Sequence, residues 1–237
     1  MPQNRTLEEF QSRNNLKFSD ATLLKTVFVH RSYLNEAGDN TQSHNERLEF
    51  LGDAVLELVV TEYLYKTFNN PEGELTNWRS SIVKGEVLAK VAAEIELGEY
   101  LFLSRGEEKS GGRHRGLILA NTFEALIGAV YLDMGYDKAS DFIHKYLICL
   151  LPEIIEKRLY IDPKSRLQEV CQEDLGATPE YRVLNEQGPD HQKEFVIGVY
   201  AAGKQMAQGS GSSKQRAEQN AASEALENWK SISKKSK

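Results

Sequence analysis

The run His44-Asn45-Glu46-Arg47-Leu48-Glu49-Phe50-Leu51-Gly52-Asp53-Ala54-Val55-Leu56-Glu57 places acids at i, i+3, i+7 and i+11. On a helix these four carboxylates fall within an arc of roughly 80°. Leu51, Val55 and Leu58 occupy a different side, so the acidic stripe borders an apolar face. Many acidic helix faces are simply solvated. Glu124 is harder to explain that way, because it interrupts the apolar run Leu117 to Leu132 among Phe123, Leu126 and Ile127, with Asn121 one turn before it and Gly128 one turn after. A carboxylate there is costly to bury unless it is paired or binds a metal. Acids brought together from two helices repel, and a divalent cation relieves the repulsion. Oxygen donors with few His or Cys favour magnesium or manganese over zinc.

The elements that must hold these groups are helical. From Leu7 to about Arg158 apolar residues recur at three and four, as in Leu23, Leu24, Val27 and Phe28, then Leu48, Leu51, Val55, Leu58 and Val59. Further runs cover Thr76 to Ile95, Leu117 to Leu132 and Lys138 to Lys157, with breaks at Gly73, Gly98 and Gly135. This predicts an all-α domain of about seven helices over residues 1–158. After a short linker, 159–162, the pattern changes. Asp162-Pro163 caps a helix ending at Leu175 before Gly176, and alternating segments around Tyr181 to Val183 and Phe195 to Val199 are separated by the turn Gly188 to His191. A second turn at Gly203-Lys204 precedes a last helix from about Ser213 to Trp229. Residues 163–231 thus read as a small α+β domain of order α-β-β-β-α, with a basic tail at 232–237.

The chain has 237 residues, and the soft prior of about one domain per 150 residues fits this division. Its 40% hydrophobic and 27% charged residues describe a globular protein rather than a disordered one. The net charge of −6 does not by itself point to nucleic acid. Residues 1–161 carry 18 Lys and Arg against 24 Asp and Glu, whereas residues 162–237 carry 11 of each, so the acidic excess belongs to the helical half. Cys149 and Cys171 lack CxxC neighbours, which argues against a disulfide framework or a zinc site and for a reducing, cytoplasmic setting. The start of the chain lacks an apolar signal-like run, and Asn121 and Glu124 interrupt the most apolar stretch, so no membrane association is expected.

At the carboxylates the sequence becomes recognisable. His44 to Leu56 closely resembles the signature of bacterial ribonuclease III, and His30-Arg31-Ser32-Tyr33, Glu107 to Gly112 and Ile118 to Gly128 resemble that family's other blocks, in its order. Asp162 to Trp229 is similar to its double-stranded-RNA-binding domain. The resemblance implies a homodimeric endonuclease that cuts both strands of double-stranded RNA with magnesium, manganese substituting, and ribosomal RNA precursors are the natural substrates it suggests. By position, Glu49, Asp53 and Glu124 match the family's metal-binding acids, with Asp53 and Glu124 in the catalytic role and Glu49, Asn121 and Glu124 as the metal set. Glu46 matches a further signature acid. Asn121 stands where many members have Asp. Phe50 matches a dimer contact, and an ordinary core aromatic fits the pattern equally well. Arg47 could steer phosphate or pair with a neighbouring acid.

RNA contacts are implied at Gln168 and Glu169 on the first helix of the second domain, at His191 in the turn, and at Ser213, Lys214 and Gln215. There Gly209 to Lys214 reads as a Gly/Ser loop whose backbone N–H groups and helix N-terminus could cradle phosphate. Such domains read A-form shape and 2′-hydroxyls. Glu218 and Gln215 occupy sites often basic in similar domains. Ser104 to Arg115, rich in Arg and Gly, reads either as a basic RNA-facing loop or as a mere connection. A duplex-binding regulator without cleavage is the rival reading; Asn121 supports it, and the retained acids Glu46, Glu49, Asp53 and Glu124 argue against it.

Overall fold

The computed structural model describes residues 6–37, 43–189 and 193–229. By contacts the chain divides into two compact units, Met1–Tyr160 and Ile161–Lys237.

The first unit is helical: α1 (Leu7–Asn14), α2 (Ala21–Val27), α3 (Arg31–Ala37), α4 (Glu46–Thr67), α5 (Glu72–Ile82), α6 (Gly85–Glu94), α7 (Arg105–Lys109), α8 (Gly116–Tyr146) and α9 (Leu151–Glu156), with short 3-10 turns between some of them. That is nine α-helices among the described residues rather than about seven. The run Thr76 to Ile95 is two helices, divided at Val83 and Lys84, and Gly73 lies inside the first turn of α5 instead of breaking the chain. Gly135, with φ 84° and ψ 178°, is non-helical and divides α8 into two helical stretches across a kink, at the break expected there. The Lys138 to Lys157 run is therefore the end of α8 followed by α9.

Local chemistry explains several boundaries. Thr6 and Glu9 form a reciprocal capping box on α1, and the Asp20 carboxylate accepts the Thr22 and Leu23 amides at the start of α2. The Asp133 carboxylate on α8 accepts the Ser19 and Asp20 amides at 2.9 and 3.0 Å, fixing that entry to the core helix.

α4 and α8 form the centre of the unit. Leu48, Val55, Leu56, Val59, Val60 and Leu64 of α4 are buried against Phe123, Leu126, Ile127 and Val130 of α8. Leu58, expected on the apolar face, is 57% exposed instead. α4 is apolar over so much of its circumference that spacing alone does not select the side facing α8. Gly116–Glu156 is long and apolar enough to cross a membrane by composition, and the greater part of its most apolar window is buried in this core. Phe10, Phe28 and Tyr100 close one end as an aromatic cluster, with ring centroids 5.0 to 5.6 Å apart.

The second unit comprises α10 (Pro163–Leu175), β1 (Glu180–Gln187), β2 (Glu194–Ala201), β3 (Lys204–Gly211) and α11 (Lys214–Glu227). The sheet is antiparallel in the order β1-β2-β3, with Val183 opposite Ile197 and Val199 opposite Ala207. One face packs on both helices through Val199, Ala201, Leu167, Cys171 and the alanines 217, 221, 222 and 225. The Asp162 carboxylate caps α10 and Ser213 caps α11. Cys149 is exposed, Cys171 is buried, and both are free thiols.

Candidate active site

The acids meet because two helices touch backbone to backbone. A Cβ built on Gly52 would lie 1.8 Å from the Glu124 carbonyl oxygen, and one on Gly128 would lie 2.3 Å from the Leu48 carbonyl oxygen. Leu48 thus faces Gly128 and Gly52 faces Glu124, so α4 and α8 run antiparallel at the contact. Glu49 and Asp53 flank this crossing on α4, while Asn121 and Glu124 approach it on α8.

The start of α4 is anchored separately. Asn45 is buried, donating its backbone N–H to the Val29 carbonyl at 3.0 Å and its side-chain amide to the Val27 carbonyl at 3.1 Å. Val29, in the link between α2 and α3, also bridges Phe102 in parallel, an isolated strand-like contact with the segment that precedes α7. Beyond it, Ser32 Oγ lies 2.8 Å from His30 Nδ1 and accepts the Ser104 amide at 3.1 Å. This network ties α3 to the segment leading into α7.

Electrostatically the four stripe acids separate. Glu57 pairs with Arg79 at 3.1 Å and leaves the cluster. Glu46 is exposed, 3.4 Å from Arg31 and 3.8 Å from His44. Glu49 and Glu124 are half-buried, Asp53 is exposed, and none of the three has an ion pair among the described residues. Burial, then Asp53, then Glu49 push the Glu124 carboxyl up to about 7 from its ordinary 4.5. Glu49 is also raised, chiefly by burial and then by Glu46, while a hydrogen bond from the Asn121 amide pulls it back toward ionisation and Asp53 pushes it further up. Among the described residues no three His, Cys, Asp or Glu side chains are gathered at metal-ligand spacing. Glu49, Asp53 and Glu124 form an open group of mutually repelling carboxylates with the Asn121 amide beside them. Its donor set of carboxylates and one amide suits a hard divalent cation, so the residues fit such a group.

Phe50 is 81% exposed, which excludes the core-aromatic reading. Leu58 and Tyr65 on α4 and Leu117 and Leu132 on α8 are also exposed. Arg47 is exposed and makes no ion pair among the described residues; Arg31 takes Glu46 in its place.

The Arg-rich segment Ser104 to Arg115 is neither an open basic loop nor a plain connection. It holds α7 and a 3-10 turn, and two of its arginines, Arg113 and Arg115, are paired within the segment. Arg113 is nearly buried, gripping Glu108 at 2.5 and 2.7 Å and donating to the Gly98 and Leu101 carbonyls. Arg115 holds Glu107 at 2.5 Å, and Arg105 is 3.6 Å from Glu36.

In the second unit Gln168, Glu169, Lys214 and Gln215 are exposed, while His191 lies outside the described residues. Gln168 and Gln215 line one cleft between α10 and α11. Half of the expected Gly/Ser loop is strand, since Gly209 to Gly211 belongs to β3, where a Cβ on Gly209 would lie 2.2 Å from the Ala221 nitrogen. These glycines admit α11 against the sheet. What remains of the cradle is the α11 N-terminus, where Ser213 Oγ accepts the Arg216 amide at 3.2 Å and Lys214 lies 5.7 Å over the Phe195 ring.

A helical unit with acids massed at one helix crossing, followed by an α-β-β-β-α unit, is the layout of a two-domain nuclease acting on duplex RNA. Residues 20–151 match the family model described as Ribonuclease-III-like, and residues 163–228 match the double-stranded RNA binding motif. Ribonuclease 3 of Pelotomaculum thermopropionicum is 48% identical over 217 residues, covering 91% of this chain and 90% of that protein. Ribonuclease 3 of Chloroflexus aurantiacus is 45% identical over 226 residues, covering 94% and 91%. Among solved structures, the nuclease domain of ribonuclease III from Campylobacter jejuni, 35% identical, matches with a TM-score of 0.55 over 63% of this chain and 95% of that one. A second structure of that domain, described as flexible in a region involved in dimer formation, gives 0.54 at 36% identity over 60% and 98%. The chain belongs to the ribonuclease III family. It is an endoribonuclease with a double-stranded-RNA-binding domain, in a family of metal-dependent nucleases.

Proposed function

We propose that the chain works as a homodimer that cuts both strands of duplex RNA with magnesium, manganese substituting. The observation that carries this is the Gly52–Gly128 crossing, which half-buries Glu124 beside Asp53 and Glu49, so that burial first and then these two acids push its carboxyl up to about 7. Glu49, Glu124 and Asn121 are the residues that would hold the cation, with Asp53 adding negative charge and orienting water beside it, and Glu46 acting at the rim. A divalent cation supplies there a water of lowered pKa and offsets charge on the leaving oxygen. The Asn121 amide donates to Glu49 and partly offsets the burial and the Glu46 charge that raise its carboxyl.

Two copies supply two nuclease sites, one for each strand. Exposed Phe50 and Leu58 on α4, in a family where a related domain is described as having a region involved in dimer formation, support the α4 surface as the place where the copies meet. Two linked RNA-binding domains then add avidity. In each, Gln168, Glu169, Ser213, Lys214 and Gln215, together with His191, contact the duplex by its shape and phosphates. Ribosomal RNA precursors and other structured transcripts are the substrates this reading favours, in the cytoplasm and away from membranes. Purified protein incubated with long duplex RNA should cleave it in magnesium and stop when a chelator is added; cleavage that continues in chelator contradicts the proposal.

A further inference from the structure

In the second unit, α10 and α11 border a cleft of about 420 Å³ lined by Lys164, Gln168, Tyr181 and Gln215, with Asp162 at its edge. Lys164 precedes Gln168 by one helical turn, so the two side chains share a face of α10. Gln215 enters from the first turn of α11. Among the described residues lining the cleft, Lys164 is the one cation. Its ammonium is already engaged, 2.6 Å from a Glu218 carboxylate oxygen and 4.8 Å over the Tyr181 ring. The Glu218 side chain is only 26% exposed, so this pair is less open to solvent than pairs such as Lys138–Asp141 or Lys157–Glu153. Lys214, on the same helix, has no ion pair among the described residues.

We propose that Glu218 restrains RNA affinity, because its carboxylate occupies the Lys164 ammonium that would otherwise neutralise a backbone phosphate and sets a like charge against the RNA at that point. The inference rests on the reading of this face as the RNA-binding face. It deepens that reading by naming a residue that opposes binding. A phosphate arriving at the cleft must compete with Glu218 for Lys164, so one available contact contributes little to the complex. The same ion pair also bridges α10 and α11, as does the 3.3 Å hydrogen bond from the Gln219 amide to Asp162, and a purely structural tie is the alternative to be tested.

The test measures binding of the full chain to a synthetic RNA duplex in chelator, over a series of salt concentrations. Four variants are compared: Glu218→Gln, Lys164→Ala, the two combined, and Lys214→Ala. Glu218→Gln should tighten binding about three- to tenfold at low salt and steepen the salt dependence by about one phosphate contact, a slope change near 0.9 by duplex counterion release. Lys164→Ala alone should change affinity by less than about twofold, since its charge is already engaged. In the Glu218→Gln background it should return affinity to the parental value. A Glu218→Gln protein with lower melting temperature and unchanged affinity would make the pair a structural tie, and a gain that survives Lys164→Ala would assign it to another group; either result overturns the proposal. Lys214→Ala keeps the two readings apart. If it leaves parental binding unchanged, the assignment of the RNA-binding face fails, whereas weakening by Lys214→Ala with no gain from Glu218→Gln overturns this inference alone.

Discussion

Gly52 and Gly128 lie close together across the α4–α8 crossing with no room for a side chain on either, since a Cβ on Gly52 would stand 1.8 Å from the Glu124 carbonyl oxygen and one on Gly128 2.3 Å from the Leu48 carbonyl oxygen. The carboxylates of the site come together only because these two backbones do. Gly52→Ala would drive a methyl group into the Glu124 carbonyl and force the helices apart, a kind of overpacking that costs about 1–3 kcal/mol or more. Thermal denaturation should show a lower melting temperature, and cleavage should fall at least about tenfold, as misplacing reacting groups by an ångström does. A Gly52→Ala protein with parental stability and activity would mean that the crossing does not set the acids.

The raised Glu124 carboxyl makes the metal-free protein sensitive to pH. With about 7 in the folded state against an ordinary 4.5, the folded chain holds the extra proton between those values. Its contribution to stability is therefore fully present below pH 4.5 and is lost as pH rises through 7. Glu124→Gln removes this titration. In chelator at pH 8 it should melt roughly 2–4 °C above the parent, about 1 kcal/mol after allowing for solvent screening of a half-buried group. At pH 4.5 the two should coincide. Equal melting temperatures at both pH values would show that Glu124 is not strained by its neighbours.

Phe50 leaves most of an aromatic ring in water in a single copy of the chain. Phe50→Ala should shift the monomer–dimer equilibrium toward monomer by at least about tenfold, as truncating a central aromatic contact does. Sedimentation over a concentration series measures this, and monomer melting should be nearly unchanged because the ring is not part of the core. An unaltered dimer would move the interface away from α4.

Asn121→Asp removes an amide that supports Glu49 and adds a fourth carboxylate to the group. The metal-free variant should be less stable than the parent. Half-maximal cleavage should need severalfold less magnesium, because binding a cation relieves more repulsion. An unchanged or higher magnesium requirement would make the amide a full equivalent of the carboxylate.

What the sequence made legible was local chemistry. Asp162-Pro163, Gly176 and Ser213 mark the ends of α10 and the start of α11 through capping groups within a few residues of each boundary. The acidic stripe of α4 and the misplaced Glu124 are likewise visible as residue types at helical spacing. The features that escaped depend on distant partners. Leu58 has the same spacing as true core residues, and only the position of α8 leaves it exposed. Gly209 and Gly211 look like loop glycines because glycine is a turn signal, yet they lie in β3 beneath α11. Arg113 and Arg115 read as free positive charge until Glu108 and Glu107 are found against them. Asn45 lies in plain sight beside Glu46, but its anchoring of α4 to Val27 and Val29 depends on a contact with a segment some 16 to 18 residues earlier.

In the proposed function Glu124 serves cleavage and not duplex recognition. The direct measurement compares Glu124→Gln with the parent on one duplex RNA, with cleavage followed in magnesium and affinity measured in chelator. Cleavage should fall by at least about a thousandfold, the scale of losing a directly engaged group, with duplex affinity changed less than about twofold. A Glu124→Gln enzyme that cuts at the parental rate in magnesium would contradict the assignment of this acid and the site built around it.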